Sequence, residues 1–490
     1  MSKFTRRDFL RTGIAGSVLL STGLRGPASA PSVAITAGPR RARNVILLVS
    51  DGMSLGTLTM TERYLRRFEN RGTHWLGMYK KYPNVRRALM DTCSANALVT
   101  DSAAAASAWG CGHKVKNGAL NQTPDGRLHK PILRLAAEAG IGTALVTTAR
   151  LTHATPAGFG ASIESRVDEG DIAIQYLDAR YDVLLGGGVR FFDSEKRNDE
   201  RDLLIEYSNN GYSVLRNREE LLASNGGRLL GVFDDDHLPY AIDRKADAAL
   251  SAAIPSLAEM ARAAIGRMAK HPGGFLMQIE GANIDYAAHA NDIGALIHEQ
   301  IDFDDAVGAA LEFAAGRDDT LVIVTTDHGN SNPGLNGTGG SFDSRGGSYG
   351  DTQKCFDRLG DFRRSNRWVR SKLSKKSTPA QIRNRVKTAN GIELLDDEIE
   401  LLMRALKKDP APREGYRVRN RATITLGQLI ANYTSIGWTG IAHTSDHVEL
   451  AAIGPGSEPI CGLMQNTELF DVMTGALGLS RSGKLAAAVS

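Results

Sequence analysis

The chain has 490 residues, 42% hydrophobic and 23% charged. It is long enough to bury a large core, and too ordinary in composition to be disordered, collagen-like or a multi-span membrane protein. Of its 59 basic and 55 acidic residues, five basic residues and one acid lie in the first 30 positions, and the rest balance. A nucleic-acid binder would keep a surplus of positive charge.

Residues 5–11 read Thr-Arg-Arg-Asp-Phe-Leu-Arg. An apolar stretch from Gly13 to Leu24 follows, then Pro-Ala-Ser-Ala at 27–30. This pattern predicts a twin-arginine export signal over 1–30, cut after Ala30 or as late as Ala37. The apolar stretch is too short to cross a hydrocarbon core of ~30 Å, so no integral membrane span is expected. The protein is expected to use the twin-arginine machinery and to be periplasmic or secreted.

Next come apolar runs with the character of buried strands at Val45–Ser50, Gly142–Thr147, Val183–Leu185, Phe275–Ile279, Leu321–Thr326 and Val448–Ile453. Between them lie helical patterns at Ile132–Ala139, Ala246–Met268, Ile293–Ala315 and Thr423–Tyr433. The alternation predicts an α/β fold with a mostly parallel central sheet flanked by helices on both faces. The expected catalytic domain covers 44–332 and 417–477. Residues 333–416 differ: a Gly/Ser-rich stretch at Gly334–Gly350, then ten Lys/Arg and no acid in Arg363–Lys387, then an amphipathic helix near Asp396–Leu406. They are expected to form a crown- or lid-like insertion. The basic run reads either as a solvated surface or as a patch that attracts anions. Cys93, Cys111, Cys355 and Cys461 include no Cys-x-x-Cys pair, so one disulfide or none is expected.

Three predicted strands end in an acid: Asp51, Glu280 and Asp327. Ligands of open α/β sheets bind just beyond such strand ends. One acid there reads as a helix cap, but three would repel unless cations lie between them. His328 follows Asp327, Asp285 and His289 share a helix face at i, i+4, and His443 precedes the last strand. Imidazole with carboxylate suits zinc, and an all-oxygen set suits magnesium. Val99–Trp109 reads as a helix start, where Asp101 or Ser102 is a simple N-cap or Ser102 is a nucleophile beside a metal.

Six motifs in order resemble the alkaline phosphatase family from about Asn44 to Leu477: Ser50-Asp51-Gly52-Met53, Thr100-Asp101-Ser102-Ala103-Ala104, His153-Ala154-Thr155-Pro156, Glu280 to Asp285 with His289, Thr326-Asp327-His328-Gly329, and His443-Thr444 ahead of Gly454-Pro455. The resemblance implies hydrolysis of small phosphate monoesters through a phosphoserine on Ser102, releasing inorganic phosphate. It implies a first zinc on Asp285, His289 and His443, a second on Asp51, Asp327 and His328, and magnesium on Asp51, Thr155 and Glu280. Arg166 stands at the family's spacing for the arginine that clamps phosphate. His153 stands where some bacterial members carry Asp and animal members carry His, and is expected either to touch a magnesium-bound water or to recruit a different metal. Tyr286 stands where others carry Lys, His or Trp, and implies weaker binding of product phosphate than Lys would give. His447, four residues after His443, is expected to be structural or to lie behind the ligands. Many members form homodimers; no nucleic-acid partner is expected. The competing readings are a phosphodiesterase or sulfatase on a related sheet, and an exported polyanion-binding protein.

Overall fold

The computed structural model describes residues 41–337, 349–408 and 422–480. The expected export signal and its cleavage sites lie outside these residues. The central sheet has ten strands: β1 (Asn44–Ser50), β2 (Arg86–Asp91), β3 (Gly142–Arg150), β4 (Val183–Gly187), β5 (Tyr212–Leu215), β6 (Arg228–Val232), β7 (Phe275–Gly281), β8 (Thr320–Thr325), β9 (Val448–Ile453) and β10 (Gly462–Gln465). Their spatial order is β10-β2-β9-β8-β1-β7-β3-β4-β6-β5. Only β9 runs antiparallel to its neighbours β2 and β8. The expected mostly parallel α/β sheet is therefore present.

Alternation along β1 builds a core on each face. Ile46 and Leu48 join Leu58, Met260 and Leu296 from the helices of one face. Val45, Leu47 and Val49 join Trp109, Leu133, Phe159 and Phe470 from the other. Each such side chain, fully removed from water, contributes about 1.5–3 kcal/mol.

All six expected strands are present. Four were missed: β2, β5, β6 and β10, which are short or lie toward the sheet margins. The single helix expected over Ala246–Met268 is two, Ala248–Ala253 and Leu257–Met268. Pro255 forces Ile254 into extended backbone, and Ser256 with Glu259 then opens the second helix through a capping box. By length and composition, Ala248–Met268 is the one described stretch that passes for a membrane span, yet Met260, Ala261 and Ala264 are buried in the core.

Within 333–416, residues 338–348 and 409–416 lie outside the described part. The remainder forms the helices Thr352–Asp357, Asn366–Ser371, Pro379–Asn390 and Asp396–Leu406, and adds no strand to the large sheet. Phe356, Val369, Ile382 and Leu402 join the same buried cluster as β1. All four cysteines are free thiols.

Candidate active site

β7, β1 and β8 are adjacent and parallel, so Glu280, Asp51 and Asp327 converge at their carboxyl ends. All three are fully buried. Burial, with Asp327, Asp285 and Glu280 alongside, pushes the Asp51 carboxyl well above its ordinary value. Burial likewise pushes Glu280 up to about 7 and Asp327 to about 6. The turn after β1 is held by Gly52 N–H donating to Asp327 Oδ1 and Met53 N–H to Thr326 Oγ1, each at 3.0 Å. Gly52 has φ +67°, and a Cβ there would strike Asp285, so only glycine lets this turn reach the site.

Asp285 and His289 lie on the helix Asn283–His289, and His443 lies on a short strand paired with Asn330. His289 Nδ1 donates to Ile441 O at 2.7 Å, and His443 Nδ1 to Thr100 O at 2.9 Å. Each bond orients its ring so that the other nitrogen, Nε2, faces Asp285. The two Nε2 atoms are 3.1 Å apart, and lie 3.3 and 3.5 Å from the Asp285 oxygens. Burial opposes ionisation of Asp285, but His289 and His443 hold its carboxyl below the usual range. Asn330 steadies it by donating Nδ2 to Oδ1 at 2.7 Å.

His328 Nε2 lies 3.2 Å from Asp327 Oδ2, 3.7 Å from Asp51 Oδ1 and 3.3 Å from Ser102 Oγ. Burial, then His443, keeps His328 neutral. A third group joins Asp51, Glu280 and His153, whose donor atoms all lie within 4.8 Å of one another. Thr155 Oγ1 is 3.4 Å from Asp51 Oδ2, and Thr147 Oγ1 donates to Glu280 Oε2 at 2.5 Å.

These three groups fit divalent cations. Asp51 Oδ1, Asp327 Oδ2 and Glu280 Oε1 are buried with no hydrogen-bond partner among the described residues. Buried carboxylate oxygens left so are costly unless a cation takes them up. A fourth group, His74, Asp304 and Asp305, fits poorly: the Arg71 guanidinium already sits against both acids.

Ser102 opens the helix Ser102–Cys111. Asp101 is the N-cap, accepting from Ala104 N–H at 2.9 Å. That settles which of the two caps the helix, and leaves the Ser102 hydroxyl toward His328. The helix packs tightly on Ala154–Gly160, because a Cβ on Gly158 would lie only 2.6 Å from Ala106 Cβ. This approach brings Ser102 and Thr155 to one centre. Arg166 reaches in from a loop: Nη1 binds Asp101 Oδ2 at 2.9 Å, and Nη2 donates to His153 Nε2 at 3.0 Å. Burial and the neighbouring Arg166 lower His153 well below its ordinary value.

The structure thus gathers Ser102, Arg166, Asp51, Thr155, Glu280, Asp285, His289, Asp327, His328, His443 and His153 around one centre. Tyr286 stands at its rim, with its hydroxyl 3.2 Å from His153 Nε2. His447 does not join them; it lines a cavity of about 360 Å³ with Met53, Gly329, Asp446 and Glu449. Sequence reasoning missed Arg150 and His237. His237 packs against Tyr286 with ring centroids 4.3 Å apart and planes tilted by 50°. Arg150 Nη1 meets His237 Nε2 at 2.6 Å while its other nitrogens bind Glu169. The signal for His237 was its place in the loop after β6, a strand the apolar pattern did not reveal.

The family model for alkaline phosphatase matches residues 42–479. The chain is 33% identical to alkaline phosphatase 3 of Bacillus subtilis (strain 168) over 449 residues, 87% of each chain. Its fold superposes on the crystal structure of Thermus thermophilus alkaline phosphatase with a TM-score of 0.84 and 36% identity, covering 92% of this chain and 96% of that one. It is also similar to a mutant of the alkaline phosphatase from the Antarctic bacterium TAB5 with Mg bound in its M3 site, at a TM-score of 0.61 and 26% identity, covering 90% and 99%. Family match, fold and clustered donors agree: the chain belongs to the alkaline phosphatase family, metal-dependent enzymes that hydrolyse phosphate monoesters.

Proposed function

We propose that this chain hydrolyses phosphate monoesters through a covalent phosphoserine on Ser102, with two zinc ions and one magnesium ion. The observation that carries this reading is the position of Ser102 Oγ at a helix N-terminus, 3.3 Å from His328 Nε2. The first zinc would be held by Asp285, His289 and His443, and the second by Asp51, Asp327 and His328. Magnesium would be held by Asp51, Thr155 and Glu280, with His153 beside it. Mixed nitrogen and oxygen donors favour zinc at the first two positions, and the oxygen-rich set favours magnesium at the third. Bound there, such cations offset the charge of phosphoryl oxygens and lower the pKa of a hydroxyl or water beside them.

The chain's own groups do the rest. Asp101 caps the helix and holds Arg166 in place. The Arg166 fork binds two nonbridging phosphate oxygens, a planar match that lysine cannot make. The backbone N–H groups of the helix start favour the anion. Ser102 Oγ loses its proton and bonds to phosphorus as the bond to the ester oxygen breaks, and that oxygen takes up a proton and leaves as the alcohol. Water then cleaves the Ser102–phosphate bond, and inorganic phosphate departs.

Residues 1–30 direct twin-arginine export to the periplasm or beyond. Residues 333–416 are an insertion in a catalytic domain of 44–332 and 417–477, and the protein acts on small phosphomonoesters.

Trapping labelled phosphate at acid pH tests the nucleophile. The label is expected on Ser102, and Ser102→Ala is expected to lose both label and turnover, by on the order of ten-thousandfold or more. Retained phosphatase activity in Ser102→Ala would refute the assignment.

A further inference from the structure

The structure sorts the ten cationic residues of Arg363–Lys387. Arg383 pairs with Asp396 and Lys387 with Glu393. Arg363, Arg364 and Arg370 donate to backbone carbonyls. Lys372, Lys375 and Lys376 are exposed and make no ion pair among the described residues. Lys372 and Lys376 border a cavity of about 590 Å³ together with Arg385, Ser374, Ser377 and Thr388, and no carboxylate lines it.

Arg385 is fixed in this wall. Its guanidinium stacks on Trp368, its Nη2 donates to Trp368 O at 2.9 Å, and its Nε is buried without a partner. Arg364 approaches the same indole at 5.2 Å. The carboxylate on this side, Asp243, is already engaged by Ser365 N–H and Oγ–H. Two like charges on one ring and a buried unpaired donor leave a surplus of positive charge for an anion to offset. Guanidinium, ammonium and hydroxyl donors without an acid form a surface for phosphate oxygens.

The spread of charge over Lys372, Lys375, Lys376 and Arg385 calls for a ligand with several phosphates. Single-stranded nucleic acid is disfavoured, because Trp368 is already covered by guanidinium groups and offers no platform for bases. A lipid surface is disfavoured, because no large apolar side chain of 363–387 is exposed. We infer that this cleft binds a linear phosphate polymer, inorganic polyphosphate, at a position separate from the catalytic centre. The helix Asn366–Ser371, which carries Trp368, reaches toward that centre. Asn366 N–H donates to Asp292 Oδ2 at 2.5 Å, three residues beyond His289. Exposed Arg367 adds its positive field at His237.

Binding of end-labelled long-chain inorganic polyphosphate to the metal-loaded full-length enzyme tests this. An arylphosphonate is added to saturation to fill the catalytic centre. Binding is expected to survive the phosphonate and to weaken steeply with salt. Lys372→Glu/Lys376→Glu is expected to weaken it by roughly tenfold or more, while turnover of p-nitrophenyl phosphate stays unchanged. Lys372→Arg/Lys376→Arg is expected to keep it. Complete displacement by the phosphonate would overturn the proposal. So would equal affinity in the glutamate variant, or equal affinity for a single-stranded DNA oligonucleotide of matched charge.

Discussion

His153 accepts from Arg166 at 3.0 Å and shares a buried space with Asp51 and Glu280. Its neutral ring adds no negative charge to that group, and its nitrogen is a softer donor than oxygen. His153→Asp supplies a hard oxygen and one more charge, so it is predicted to bind magnesium more tightly at this position. Magnesium titration of the zinc-loaded enzyme checks this, and unchanged affinity would contradict it. Tyr286 stands over the same centre, and burial raises its hydroxyl pKa further above the neutral range, so it contributes no charge. Tyr286→Lys brings an ammonium toward the phosphate, and inhibition by inorganic phosphate is predicted to strengthen by about three- to tenfold. Equal inhibition of the two proteins would contradict that. His237, which packs on Tyr286, and Arg150, which binds His237, were not legible. Arg150 lies three residues beyond the expected end of β3 at Thr147, because that strand runs on past the apolar run.

The helix Ile293–Ala314 carries buried acids that the site does not use. Burial, with Asp302 nearby, pushes Glu299 up to about 8, while Glu299 accepts from Ala241 N–H at 2.6 Å. An unfolded glutamate titrates near 4.3. Between these values the folded state holds more protons, so this group's contribution to stability falls as pH rises from about 4 to 8. Glu299→Gln keeps an acceptor and removes the charge. Its melting temperature is predicted to fall less than that of wild type between the two ends of this window. Equal falls would contradict the assignment. Elements buried on both faces were legible for the same reason that this acid is costly. β1 and β8 are apolar runs closed by an acid, β7 is one broken only by Gln278, and covered parallel strands read that way. β2 exposes Arg86, Arg87 and Leu89, so its pattern has little contrast. β5 has only four residues. The break at Pro255 was written in the sequence, yet the apolar periodicity on either side hid it.

At the scale of the molecule, the sheet carries a core on each face and brings its charged groups together along one edge. The residues that name the chemistry were legible because they interrupt strong apolar patterns at strand ends and recur in order as family motifs. The three-dimensional spacing was not, because Ser102, Asp285 and His443 are brought together by loops and by the close packing of Gly110 and Gly158. Metal removal is predicted to lower the melting temperature as well as activity, since cations bound only in the folded state stabilise it by mass action. An unchanged melting curve after chelation would show that the clustered carboxylates carry no bound charge. The most direct measurement is turnover of p-nitrophenyl phosphate after exhaustive chelation, followed by return of zinc and magnesium. The cation-dependent hydroxyl chemistry predicts loss to background and recovery only when both metals are restored. Full activity in protein shown by elemental analysis to hold neither metal would contradict it.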